Sequence, residues 1–91
     1  MGAGVRQNER LRRFELETDG ATAVAYYELR NGVMNFTSTQ VPASLRNRGI
    51  ASRLIEGALD VARAEGLKVK ATCAFVQDFL ERRTEYADMR A

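Results

Sequence analysis

Apolar residues recur at every second position through the first half of the chain and at helical spacing beyond Pro42, so strands precede helices. Residues 10–18 set Leu11, Phe14 and Leu16 among charges, with alternation across Phe14, Leu16 and Thr18. This predicts a strand ending at an Asp19-Gly20 turn. Residues 21–30 place Ala23, Ala25, Tyr27 and Leu29 on one face and Val24, Tyr26 and Glu28 on the other. Asn31-Gly32 is a strong hairpin signal, because a two-residue type I′ turn needs positive φ at both positions. Residues 33–41 then alternate Val33, Asn35, Thr37 and Thr39 against Met34, Phe36, Ser38 and Gln40, completing a three-stranded antiparallel meander. Pro42 stops that strand, since it brings no ladder donor.

After the proline the period changes. A helix over 49–65 is predicted to bury Ile50, Leu54, Ala58, Val61 and Ala62, with Ala51, Ile55 and Leu59 beside them and Gly66 closing it. Residues 67–73 alternate Leu67, Val69, Ala71 and Cys73 against Lys68, Lys70 and Thr72, a fourth strand. Following a strand–helix unit, it returns parallel to the third by a right-handed crossover. A second helix over 74–83 packs Phe75, Val76, Phe79 and Leu80 inward, and Tyr86 and Met89 anchor a short last turn. The fold class is therefore mixed α/β (α+β): a meander, a strand–helix–strand crossover and a C-terminal helix. One domain is expected over 9–91, behind a flexible terminus over 1–8.

Composition narrows the chemistry. A hydrophobic fraction of 45% is that of a globular chain, and a formal net charge of +2 is too small to concentrate polyanions by itself. Cys73 is the single cysteine and there is no histidine, which excludes an intrachain disulfide and a Ser-His or Cys-His nucleophile and disfavours catalytic zinc. No apolar run reaches the ~18 residues of a membrane span, and the start of the chain does not read as a signal sequence. A cytoplasmic location is the expectation, with neither membrane nor nucleic acid as partner and no metal.

The segment over 37–55 combines a β-branched strand, a proline turn, Arg46-x-x-Gly49-x-Ala51 and a helix start. A helix start presents free N–H groups and the positive end of the macrodipole, so it attracts anions. Gly49 and Ala51 let a phosphate approach the main chain, while Arg46, Arg48 and Arg53 add positive charge. The segment reads as a pyrophosphate cradle.

These residues resemble the GNAT superfamily of N-acetyltransferases. The match runs through Val41-Pro42, Arg46-x-x-Gly49-x-Ala51 and Leu54-Ile55-x-x-Ala58-Leu59, corresponding to the superfamily motif Arg/Gln-x-x-Gly-x-Gly/Ala. Gly66-Leu67-Lys68-Val69, Cys73, Phe75-Val76 and Glu85-Tyr86 are similar to a very short, single-domain branch, so that the resemblance covers roughly residues 9–89. It implies a minimal GNAT-like fold with acetyl-CoA (coenzyme A) in the splay between two parallel strands. The pantetheine arm would pair with Thr39, Gln40 and Val41. The pyrophosphate would rest on amides of Arg46, Asn47, Arg48, Gly49, Ile50, Ala51 and Ser52. Ser38 stands where short relatives commonly carry histidine, Asn47 where they often have glycine, and Arg83 where they have a late histidine. Ala71, Ala74 and Thr84 replace prolines.

Acetyl transfer needs a neutral amine, donors to the carbonyl oxygen and a proton for the leaving thiolate. Backbone N–H groups beside a bulge of the third strand can serve the carbonyl. Cys73, at the carboxyl end of the fourth strand, is a candidate to carry an acetyl group or give a proton, or else a small buried hydrophobe. Tyr86 is a candidate general acid or a packing residue, and Glu28 a water-relayed base or an exposed strand carboxylate. Ser38 and Thr39 are candidate hydrogen-bonding residues, and Arg6, Arg10, Arg12 and Arg13 read as a solvated strand edge. The expected reaction is acetyl transfer to a small-molecule or protein/peptide amine, with a second copy of the chain as a possible completion of the cleft (a homodimer). Two alternatives stay open: a non-catalytic acyl-CoA binding or sensing module, and a small basic nucleic-acid-binding protein.

Overall fold

The structure, a computed structural model, describes residues 4–91. Strands β1 (Val5–Asn8), β2 (Arg13–Thr18), β3 (Ala21–Arg30) and β4 (Val33–Gln40) follow one another as an antiparallel meander. Helix α1 (Ile50–Ala64) then crosses to β5 (Lys68–Ala71), which pairs parallel to β4. Sheet order is the chain order, β1-β2-β3-β4-β5. Helix α2 (Ala74–Arg82) and a 3-10 turn over Thr84–Met89 end the fold, and Arg90 adds a parallel bridge to Val69 on β5. Asn31 and Gly32 take φ of 54° and 78°, the two positive values that the hairpin pattern requires. Among the described residues, no helix is long and apolar enough to cross a membrane.

One face of the sheet carries Phe14, Leu16, Ala23, Ala25, Tyr27, Met34, Phe36 and Val69, all buried against α1 and α2. From α1 come Ile50, Leu54, Ile55, Ala58, Leu59 and Ala62; Val61 and Ala51 are half-buried at the flanks of that stripe. Tyr86 and Met89 are buried as expected.

The N-terminal expectation needs correction. Residues 1–3 lie outside the described residues, but Val5–Asn8 form a strand, so the meander has four strands and not three. The pattern hides it because Val5 is the only strongly apolar residue in Val-Arg-Gln-Asn, and its partner is remote in sequence. Val5 packs on Gly57 of α1, where an added Cβ would stand 2.5 Å from Val5 Cγ2 and 2.6 Å from Val5 Cβ. Gly57 is thus small because a strand crosses it there. Gln7 Nε2 donates to the Tyr27 hydroxyl on the same face, at 2.9 Å.

The early arginines match the expected solvated edge in part. Arg6, on the edge strand β1, and Arg10 and Arg12 are exposed, whereas Arg13 on β2 is half-buried. With Asn8, Arg6 and Arg13 donate to the carboxylate of Glu15, which is 5% exposed on the outer face of the sheet. Two further expectations fail on exposure. Leu29 is 52% exposed, because β2 pairs with β3 only as far as Tyr26 and leaves Leu29 without a neighbour on that side. Phe75 is 39% exposed at the start of α2, beside rather than within the stripe of Val76, Phe79 and Leu80.

Two predictions follow from this packing. Alanine at position 57 gains about 1 kcal/mol of helix propensity, against an overpacking cost of about 1–3 kcal/mol at a contact that includes Val5 Cβ. Gly57→Ala should therefore lower Tm, and Val5→Ala in the same chain should recover part of the loss; a Tm that rises in the single variant contradicts the contact. Glu15, held by hydrogen bonds from Arg6, then Arg13 and Asn8, titrates at about 2 in place of 4.5. A depressed folded-state pKa means the carboxylate stabilises the fold above pH 4.5, and that contribution drains away as pH falls towards 2. In acid titrations followed by circular dichroism, Glu15→Gln should cost about 1–3 kcal/mol at neutral pH and should flatten the stability profile across that window.

Candidate functional site

The site begins where β4 and β5 part. Their ladder runs from Val33↔Lys68 to Phe36↔Ala71 and stops. At Phe36 the carbonyl accepts from both Thr72 and Cys73, at 3.0 and 3.2 Å, and the chain turns into α2. On the other side of β4, Tyr26 pairs with Ser38 and Tyr27 with Phe36. Thr37 is therefore one extra residue, a bulge, in the strand for which a bulge was expected. Beyond it Ser38, Thr39 and Gln40 pair with β3 only, so β4 offers main-chain donors and acceptors to the gap.

At the mouth of the gap a 3-10 turn (Ala43–Leu45) leads to the start of α1, pinned from below by Leu45, which is fully buried. Asn47 and Gly49 both sit in the left-handed region, at φ 63° and 71°. Asparagine tolerates that region, so the turn forms at Asn47 without a glycine. A Cβ at Gly49 would meet nothing within 4 Å, so it is backbone conformation, and open space above it, that glycine provides here. Among the described residues, Arg46 N–H reaches Ala43 and Arg53 N–H reaches Gly49, but the amides of residues 47–52 donate no main-chain hydrogen bond. No side chain caps α1 either. A cavity of about 310 Å³ lies over these amides, lined by Val41, Leu45, Arg46, Asn47, Gly49, Ile50, Ala51, Ser52 and Phe75.

The predicted residues are not all gathered there. Arg46 lines the cavity and its Nε donates to the Val41 carbonyl at 3.4 Å. Arg48 turns away to Asp19 on the β2–β3 turn, Nη2 to Oδ2 2.8 Å. Gln40 pairs with Val24 and lies outside the lining. Thr39 points the other way, to the α1 side, with Oγ1 3.5 Å from Cys73 Sγ. Cys73 is the N-cap residue of α2, half-buried. Burial pushes its thiol up. The hydroxyl of Thr39 and the amides of Val76, Phe75 and Thr39 together pull it further down, and the net shift is downward.

Tyr86 stands apart. It is 8% exposed, stacked on Phe79 at 6.1 Å between ring centroids and covered by Arg63 and Arg83. Burial, then the charge of Asp60, raises its hydroxyl pKa. It lines neither the cavity over α1 nor the adjoining one of about 220 Å³ lined by Ser52, Phe75, Asp78, Phe79, Arg82 and Arg83. Glu28 is exposed on β3. Phe75, read as core, lines both cavities together with Ser52. Its place one step off the apolar stripe of α2, in the first turn after Cys73, is the signal that could have found it.

Comparison with known proteins identifies the fold and the family. Residues 13–89 match the model of the GCN5-related N-acetyltransferases. Protein NATD1 of Bos taurus and of Homo sapiens are each 34% identical to the chain over 80 residues, covering 85% of it and 71% of the relative. A GCN5-like protein of Staphylococcus aureus, solved in solution by NMR, superposes with a TM-score of 0.75 at 28% identity, across 96% of this chain and 86% of that one. A match that runs from β2 to the last turn, in both sequence and fold, makes this chain a member of the GCN5-related N-acetyltransferase family.

Proposed function

We propose that the chain is a single acetyl-CoA-binding domain that transfers an acetyl group to an amine. The observation that carries this reading is the run of unpartnered amides at residues 47–52 beneath an open cavity, at the mouth of the gap between β4 and β5. Free helix-start amides and the adjacent Arg46 fit a diphosphate, and the open space above Gly49 leaves room for it. The edge of β4 at Ser38, Thr39 and Gln40 fits the amide groups of a pantetheine arm, as an added strand would pair. Phe75 offers an exposed ring to the same ligand.

Bound acetyl-CoA would supply an activated carbonyl, a thioester. The chain's own task is to place donors at the carbonyl oxygen and to hold a proton for the departing sulfur. The bulge at Thr37 takes main-chain groups out of the ladder for the first task. Cys73 suits the second, because a thiol made more acidic by Thr39 and the first amides of α2 releases its proton more readily. Tyr86, buried under Arg63 and Arg83, is left out of the chemistry. With no histidine in the sequence and Tyr86 covered, the proton for the departing sulfur falls to Cys73 and water. The same economy favours, as a second reading, a module that binds an acyl-CoA without turning it over.

Thermal unfolding with acetyl-CoA at about a hundred times its Kd should show stabilisation of about 2.7 kcal/mol. Gly49→Val, which forces a β-branched residue to φ 71°, should remove that stabilisation; unchanged affinity in a folded variant sinks the cradle. Thiol release from acetyl-CoA in the presence of amines separates transferase from binder. In that assay Cys73→Ala should slow turnover about a hundredfold while keeping the thermal shift. Full activity in that variant returns Cys73 to a packing role.

A further inference from the structure

The loop over 46–49, which leads into the free amides, is anchored at its two ends by burial. Leu45 is fully buried before it and Ile50 is buried after it. Between these anchors the chain takes two left-handed residues, Asn47 and Gly49, on either side of Arg48. The amides of residues 47–52 donate no main-chain hydrogen bond among the described residues, and no side chain caps α1. A non-glycine residue in the left-handed region persists where surrounding contacts hold it there. Amides that donate to nothing contribute no such hold.

Arg48 supplies the contact in the middle of the loop. Its guanidinium leaves the cavity for the β2–β3 turn, where Nη2 donates to Oδ2 of Asp19 at 2.8 Å. Asp19 is itself fixed. With Gly20 it takes φ of 53° and 78° between the paired residues Thr18 and Ala21, a two-residue turn closed by the ladder. The side-chain bond of Arg46 to the Val41 carbonyl is long, at 3.4 Å, and ends just before the loop. Among the described residues, Arg48–Asp19 is the one ion pair that ties residues 46–49 to another element.

Both side chains are exposed, at 45% and 68%, so the pair adds little to global stability. Its effect is local: it narrows the range of positions that the loop samples. A site made of main-chain amides is sensitive to that range, because ordering left undone in the free protein is subtracted from binding. We propose that Arg48 and Asp19 are positioning residues for the cofactor: the pair sets the loop before the ligand arrives, and the Arg48 side chain does not hold the diphosphate. This rests on the proposed acetyl-CoA site for its purpose, but the tether is testable without a ligand.

Asp19→Asn removes the charge and keeps the turn, since Asn-Gly favours the same conformation; Arg48→Gln removes the other end. In the ligand-free, isotope-labelled chain, NMR order parameters of residues 46–49 should fall in both variants, from about 0.85 towards about 0.6, with Tm barely moved. By calorimetry, acetyl-CoA should bind about threefold more weakly to either variant and no more weakly to the double variant. Arg48→Lys, which keeps a cation within reach of Asp19, should recover the affinity. In thiol-release assays the loss should appear in the KM for acetyl-CoA, with kcat unchanged. Tighter binding by Asp19→Asn beside weaker binding by Arg48→Gln makes Arg48 a direct phosphate ligand and overturns the proposal, as do order parameters unchanged in both variants. If the variants loosen the loop but the parent chain binds no acetyl-CoA, the cofactor reading has failed and the pair remains a tether of the loop. If acetyl-CoA binds the parent and both variants alike, the positioning role has failed and the cofactor reading stands.

Discussion

A parallel pair of strands that stops after four residues on each is the constraint on which the molecule turns. Two local events enforce the stop. Thr37 adds a residue to β4 and twists it off the register of its neighbours. The carbonyl of Phe36 takes two donors in succession, Thr72 and Cys73, which turns β5 aside into α2. The remaining length of β4 keeps one neighbour where an interior strand has two. Unpaired main-chain groups are costly when buried, but here they face a gap open to solvent, where water satisfies them until something else does.

The rest of the fold holds that gap open without intruding on it. Leu45 and Ile50 anchor the turn and the helix start from below, so the amides above them remain uncovered. Helix α1 is kept on the sheet by its apolar stripe and by a close approach of β1 at Gly57, where strand and helix come nearer than any side chain there would allow. On the outer face, Arg6, Asn8 and Arg13 converge on Glu15 and tie β1 to β2 far from the gap. Fixed backbone at the start of α1 matters more than any particular side chain, since the groups on offer are main-chain amides.

Most of this was legible in the residue pattern, for physical reasons that also explain the failures. Turns marked by Asp19-Gly20 and Asn31-Gly32, the switch of period at Pro42 and the crossover to a parallel strand are local or nearly local signals, and the structure follows them. Strand β1 was missed because Val5 answers to Gly57, half the chain away, and a single apolar residue carries no period. Leu29 and Phe75 fit the alternation and the helical stripe but lie where a neighbouring element has ended, which periodicity cannot register. At the candidate site, Arg46 to Ser52 could be picked out because helix starts advertise themselves. The turning of Arg48 to Asp19 and the burial of Tyr86 depend on tertiary packing.

The placement of charge points to the same gap. On the α1 side the groups at the gap are amides, one arginine and a thiol lowered by hydrogen bonds, a setting that favours negative charge. An amine is protonated in water and must shed a proton before it can attack a carbonyl, so a field that favours anions near the gap works against the protonated form only if water carries that proton away. The sheet is continuous up to Phe36↔Ala71 and open beyond it, so the β4 edge that the proposed chemistry requires is bare only where the ladder has ended.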